Sequence, residues 1–231
     1  MTAADRAAEP APLPPLDPAR TALVLIDLQR GIVAMPTVPM PAPDVVANAS
    51  RLARACRAAG VLVVLVHVTP SADRRDALQP PADAPSPGAR PAQSGAGVSG
   101  PAGGPATAGG PPADFAEIVP EVGPEPGDMV ITKRHWGAFY GTELDLQLRR
   151  RGVTTIILGG ISTDIGVEST ARGAYERGYA QVFPSDAMAA RSAAGHAHAV
   201  GEILPRIGRV RSVDEIIAAV GRGASGDSAA G

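Results

Sequence analysis

Two charged side chains close apolar stretches of this chain, and a glycine-rich turn follows a third. Asp27 comes directly after the run Ala22-Leu-Val-Leu-Ile26, Lys133 directly after Asp128–Thr132, and Gly159-Gly-Ile-Ser-Thr-Asp-Ile-Gly166 follows Val153–Leu158. A carboxylate and an ammonium at the ends of neighbouring strands shift one another's pKa values and can move a proton. A glycine-rich turn into a helix presents backbone N–H groups to an oxyanion or a carboxylate. Lys133 is the only lysine; the other 20 basic residues besides histidine are arginines. Its survival suggests a task that a planar, permanently charged guanidinium does not serve. Plainer accounts stand beside these. Asp27 can cap the turn Asp27-Leu-Gln-Arg-Gly31, Lys133 can be a stem packed at a strand end, and the turn has neither GxGxxG nor a P-loop pattern.

The elements that would position these groups alternate along the chain. Thr21–Asp27, Val61–Val68, Asp128–Thr132, Val153–Leu158, Ala180–Phe183 and Arg209–Ser212 read as strands. A helix opening at Asp44 places Val45, Val46, Ala49, Leu52, Ala53 and Cys56 on one face and closes at Gly60. Thr142 can cap a helix carrying Leu144 and Leu148, with Arg149–Arg151 at its negative end. Further helices are expected over about Thr163–Arg177, Ala193–Leu204 and Val213–Val220. Near-continuous apolar strands separated by amphipathic helices predict a three-layer α/β/α Rossmann-like sandwich with a mainly parallel sheet of about six strands. Ligands of such sheets bind beyond the C-terminal strand ends, where Asp27, His67, Lys133 and the 159–166 turn fall.

Composition narrows the function classes. Lys+Arg 21 against Asp+Glu 23 gives a net charge of −2, without the basic excess that nucleic acid demands. The longest apolar runs, such as Val61–Val66, are strand-sized, so no membrane span is expected. The N-terminus carries no basic segment followed by an apolar one, and a cytoplasmic protein is expected. A single cysteine, Cys56, excludes an internal disulfide; on the apolar helix face it reads as a buried structural thiol. Residues 80–113 comprise 34 positions, of which 29 are Ala, Gly, Pro or Ser, and are expected to form a flexible insertion. The domain is expected to span 18–221, between disordered tails at 1–17 and 222–231. His67 stands without a nearby second histidine, and His196 and His198, two apart on a predicted helix, do not share a face, so no metal site is expected. Exposed or partner-facing positions suit these last two, and Glu168–Arg172 reads as a surface pair.

Three segments, Leu25-Ile-Asp27-Leu-Gln29, Lys133-Arg-His-Trp-Gly-Ala-Phe139-Tyr-Gly-Thr142-Glu-Leu and Gly160 to Tyr179, occur in the order found in the isochorismatase-like (cysteine hydrolase) superfamily. The chain resembles that superfamily from about Thr21 to Val220, and within it the nicotinamidase-like bacterial hydrolases. The resemblance implies a hydrolase with Asp27 and Lys133 as catalytic residues. Gly166 stands where the amidase members carry the nucleophilic cysteine, so the covalent acyl-enzyme route is absent. It further implies a thiol-free route of the isochorismatase type, in which protonated Asp27 donates to an enol-ether carbon. Two other readings stay open: an amidase that activates water directly, and a retired enzyme that binds a small molecule. By the same resemblance Arg134, Trp136, Phe139, Ile161, Ser162 and Gln29 contact the substrate, and the Ile161–Ser162 peptide is cis. No cofactor is implied; a small-molecule substrate and a homo-oligomer are.

Overall fold

The six residues Thr21–Ile26 (β1) are buried on both faces, as the middle strand of a covered parallel sheet requires. Their side chains alternate between two cores. Leu23 and Leu25 join Val45, Leu52, Ile216 and Val220 on one side. Ala22, Val24 and Ile26 join Leu144, Leu148, Val167 and Ala171 on the other. The computed structural model describes residues 11–69, 71, 75, 83 and 112–227. All but three positions of the expected 80–113 insertion lie outside them.

The remaining strands are β2 (Leu62–Val68), β3 (Met129–Lys133), β4 (Thr155–Ile161), β5 (Ala180–Pro184), β6 (Met188–Ala189) and β7 (Arg209–Arg211). The sheet has seven strands in the order β3-β2-β1-β4-β5-β7, with β6 paired to β4. Every ladder is parallel. The helices are α1 (Arg30–Val33), α2 (Ala42–Ala58), α3 (Leu144–Arg150), α4 (Glu168–Glu176), α5 (Ala193–His198), α6 (Leu204–Ile207) and α7 (Val213–Asp227). Thus α2 and α7 cover one face, and α3 and α4 the other, which is the expected three-layer sandwich. Among the described residues no helix is long and apolar enough to cross a membrane.

Strand order reverses between β1 and β4, the place where an open parallel sheet leaves a crevice at its C-terminal edge. Gly160 makes that junction tight. Its φ is +120°, and a Cβ there would lie 2.1 Å from the Ile26 carbonyl oxygen, so only glycine lets β4 run this close to β1.

Several boundaries differ from the sequence expectation. Helix α2 begins at Ala42 because Pro43 fits a first helical turn, where its missing N–H costs nothing. Strand β3 starts one residue later than expected, and Asp128 instead pairs with Arg57 at 2.7 Å. The helix expected over 163–177 opens with a π turn, Thr163–Val167. A second π turn, Ala199–Ile203, separates α5 from α6, whose Pro205 has no N–H to return to the preceding turn. Parts of both expected tails are ordered. Leu13 and Leu16 are buried, and α7 continues through Asp227.

Candidate active site

Asp27 and Lys133, 106 residues apart in sequence, meet at the C-terminal edge of the sheet. The Lys133 Nζ lies 2.8 Å from Asp27 Oδ2, with the two side chains only 2% and 8% exposed. The ammonium also donates to the His135 carbonyl at 3.1 Å. Asp27 Oδ1 is buried with no hydrogen-bond partner among the described residues. Burial pushes the Asp27 carboxyl up to about 6, against the opposing pull of Lys133 and, more weakly, His67. The Asp27 backbone has φ +54°, a conformation uncommon for a side-chain-bearing residue, and its N–H donates to the Val66 carbonyl at 2.8 Å. That turn, with the neighbouring strand holding its amide, aims the carboxylate back over the strand ends.

Gly166 faces the same carboxylate. A Cβ placed on it would sit 3.4 Å from Asp27 Oδ2, 2.9 Å from Ile26 Cγ2 and 3.6 Å from the Trp136 carbonyl oxygen. The Ile161–Ser162 peptide preceding the turn is cis. Ser162 Oγ donates to Asp164 Oδ1. The turn, Asp27 and Lys133 therefore come together as the spacing of strand ends suggested.

The other residues expected to touch substrate divide. Trp136 is 63% exposed, beside the site through its backbone carbonyl. Arg134 is exposed and donates to the Thr69 carbonyl. Ile161 is buried in the core shared with α2. Phe139 is also buried: its ring stacks on Tyr179 at 6.0 Å, and the Arg177 guanidinium lies 4.8 Å from its centroid. Those contacts pack it against Tyr179 and the C-terminal half of α4, where a Cβ on Gly173 would lie 3.2 Å from its Cδ2.

Gln29 requires the firmest correction. It is fully buried, and its carboxamide is spent on backbone groups. Nε2 donates to the carbonyls of Val68 and Phe115, both at 3.0 Å, and Oε1 accepts from the Val68 N–H at 2.7 Å. With both N–H bonds made and the side chain out of reach of solvent, Gln29 is a clamp between β1, β2 and the segment entering at residue 112. His67 works beside it, with Nδ1 2.7 Å from the Ala116 carbonyl and Nε2 2.7 Å from Thr132 Oγ1. Cys56 is fully buried, and desolvation pushes its thiol up to about 12, as suits a structural cysteine. Among the described residues no group of three or more His, Cys, Asp or Glu is placed to hold a metal ion.

One residue beside the turn escaped the sequence reading. His196, expected at an exposed or partner-facing position, is half-buried, with Nδ1 2.9 Å from the hydroxyl of fully buried Thr163. The two are 33 positions apart, and no periodicity connects them.

The carboxylate–lysine pair thus faces a glycine-bearing turn at the strand switch, the place where open parallel sheets bind their ligands. The isochorismatase domain signature matches residues 21–215. The chain is 46% identical over 208 residues to the isochorismatase family protein YecD of Escherichia coli O157:H7, covering 87% of this chain and 96% of that one. It superposes on an isochorismatase family protein from Burkholderia thailandensis with a TM-score of 0.76 at 40% identity, covering 90% and 98% of the two chains. A shorter stretch of 74 residues, 32% of this chain and 29% of the relative, is 45% identical to the ureidoacrylate amidohydrolase RutB of Methylorubrum extorquens. The chain belongs to the isochorismatase family of hydrolases.

Proposed function

We propose that this hydrolase cleaves a small organic acid by acid/base chemistry of Asp27 and Lys133, with no covalent intermediate, as in the hydrolysis of an enol ether of pyruvate. The supporting observation is the state of Asp27. Its carboxyl is raised to about 6 by burial, Oδ2 is held by Lys133, Oδ1 has no partner among the described residues, and the neighbouring position 166 carries no side chain that could attack.

In this reading the protonated Asp27 carboxyl gives its proton to the substrate's methylene carbon, the carbon–carbon π pair forming the new C–H bond. The ether carbon becomes an oxocarbenium ion, which water attacks while returning a proton to the Asp27 carboxylate. The hemiketal then breaks its C–O bond, the alkoxy oxygen takes the hydroxyl proton, and the products are an alcohol and pyruvate. Lys133 holds Oδ2, leaving Oδ1 as the oxygen that carries the proton, and its charge favours a substrate carboxylate nearby.

The similarity to RutB favours one alternative, in which Asp27 acts as a base and water attacks an amide directly. The two readings differ in the sign of their pH dependence. An acid must be protonated, so kcat/KM for an enol ether falls as pH rises through about 6; a base must be ionised, so kcat/KM for an amide rises through the same value. The test is pyruvate release from isochorismate by wild type, Asp27→Asn and Lys133→Ala across pH 5–8. The expected result is turnover with a falling alkaline limb, reduced roughly 10²–10⁴-fold in Asp27→Asn. No pyruvate would sink the ether reading. Activity on an amide panel would then select the alternative, and silence on both would leave a small-molecule binding protein.

A further inference from the structure

We propose that His196 is a positioning residue for the turn facing Asp27, locking Ser162–Gly166 in place through the hydroxyl of Thr163. The proposal takes the location of the substrate from the preceding reading, but its contacts do not depend on which bond is cleaved.

The turn's own bonds gather at its two ends: the Ser162 carbonyl accepts from the Ile165 and Val167 N–H groups, and the Gly166 carbonyl accepts from Thr170 Oγ1 at 2.6 Å, which leaves the Thr163 side chain to be fixed from outside. This is a π turn, wider than an α-helical one, and opens without a side-chain cap at Ser162. Thr163 is fully buried, and a buried hydroxyl without a partner costs free energy, so its bond to His196 Nδ1 at 2.9 Å selects one arrangement of the turn. The next residue makes a second contact with the same socket. Asp164 accepts from Ser162 Oγ and lies directly against Gly195, where a Cβ would be 2.2 Å from Asp164 Oδ2. The socket is itself anchored, since Ser192 caps α5 by accepting from the Gly195 N–H at 3.1 Å. Burial lowers the pKa of His196, opposed by Asp164, which favours the neutral ring in this bond.

This arrangement ties the opening of α5 to the catalytic edge. Gly166 lies three residues beyond Thr163, with its missing Cβ 3.4 Å from Asp27 Oδ2. An error of about 1 Å there misaligns any reacting group held between the turn and the carboxylate. His196 thus acts through Thr163 rather than on the reacting atoms.

The test is hydrogen–deuterium exchange on the full chain, following a peptide spanning residues 160–168, in His196→Ala, Thr163→Val, their double variant and His196→Asn. The asparagine amide can reach the position of Nδ1. His196→Ala and Thr163→Val should each speed exchange of that peptide about tenfold, the equivalent of one lost hydrogen bond. The double variant should be no faster than the faster single one, and His196→Asn should return toward wild type. Unchanged exchange in His196→Ala, or additive effects in the double variant, would overturn the proposal. So would acceleration that extends equally to α2, which would mean a general loss of stability. Where turnover is measured, kcat/KM should fall in His196→Ala and recover in His196→Asn. A wild type inactive on isochorismate would refute the proposed reaction and leave the exchange result to stand or fall alone.

Discussion

Asp27 is poised by two opposed effects, desolvation favouring the neutral acid and Lys133 favouring the carboxylate, and desolvation prevails. The sign of the balance is testable without any substrate. Because the folded carboxyl titrates near 6 and the unfolded one near 3.8, the folded chain binds more protons between those values. The Asp27 contribution to stability is therefore present at low pH and is lost as pH rises through that window. Subtracting the urea-unfolding free energy of Asp27→Asn from that of wild type at each pH should show this decline; a difference that rises from pH 4 to 6 would mean the carboxyl is depressed instead. Lys133→Met removes the opposing charge while keeping an unbranched stem. It should move the Asp27 midpoint above 6, read from the carboxyl infrared band, whereas a midpoint that fell would show that Lys133 is not its controlling partner. Both residues were legible in the sequence because each stands at the end of an apolar strand and because one lysine survives among arginines. What the sequence did not disclose was the left-handed backbone at Asp27, since that conformation depends on the Val66 carbonyl of the next strand.

At the scale of elements, the segment entering at residue 112 is stitched across the edge that carries Asp27. Backbone bonds join Arg30 N–H to the Glu117 carbonyl, Gly31 N–H to the Phe115 carbonyl and Val119 N–H to the Leu28 carbonyl, and the Phe115 ring occupies the space a Cβ on Gly31 would need. Gln29 and His67 supply the side-chain part of the same seam. Gln29→Ala should accordingly behave as a structural lesion. It removes three bonds to part-buried backbone groups, of which the Phe115 carbonyl keeps the Gly31 N–H, and should cost about 2–3 kcal/mol in urea unfolding. Its KM should stay within about twofold of wild type, because the side chain is fully buried and already bonded to backbone. A raised KM at unchanged stability would restore Gln29 to the substrate-binding set. The misplacement has a physical cause. A glutamine two residues past the aspartate of the candidate site looks like a ligand-facing residue, and its true partners lie 39 and 86 positions away. Strands and helices were legible because their periodicity is local; the seam was not, because its bonds join distant backbone to one side chain. The π turn at Thr163–Val167 was hidden for a similar reason, its side-chain partner being a histidine 33 positions away.

For the whole molecule, the sheet order brings β1 and β4 together at the switch point, and the stretch around Leu13 and Leu16 packs with α7 in the layer behind them. The N-terminal stretch read as a tail because Ala and Pro dominate it, yet its two leucines, Leu13 and Leu16, are buried against the layer containing α7. The Leu16 N–H donates to the Ala219 carbonyl at 3.1 Å, and Arg222 Nη2 donates to the Leu13 carbonyl at 2.9 Å. This contact makes opposite demands on two glycines of one helix. At Gly223 a Cβ would lie 1.9 Å from the Leu16 carbonyl oxygen, a backbone atom that cannot move without lifting the N-terminal stretch. At Gly221, two residues earlier, a Cβ would meet nothing within 4 Å. Gly221→Ala should therefore gain helix propensity of up to about 1 kcal/mol and raise Tm by about 2–4 °C. Gly223→Ala must displace Leu16 and should lower Tm by a similar or larger amount, an overpacking cost of about 1–3 kcal/mol. The informative comparison is Gly223→Ala in a chain lacking residues 1–16. If the N-terminal stretch is what the methyl meets, the truncated chain should be less stable than the full one but should gain from both alanines alike. If Gly223→Ala remains destabilising after truncation, its cost arises within α7, and the N-terminal stretch does not brace the helix.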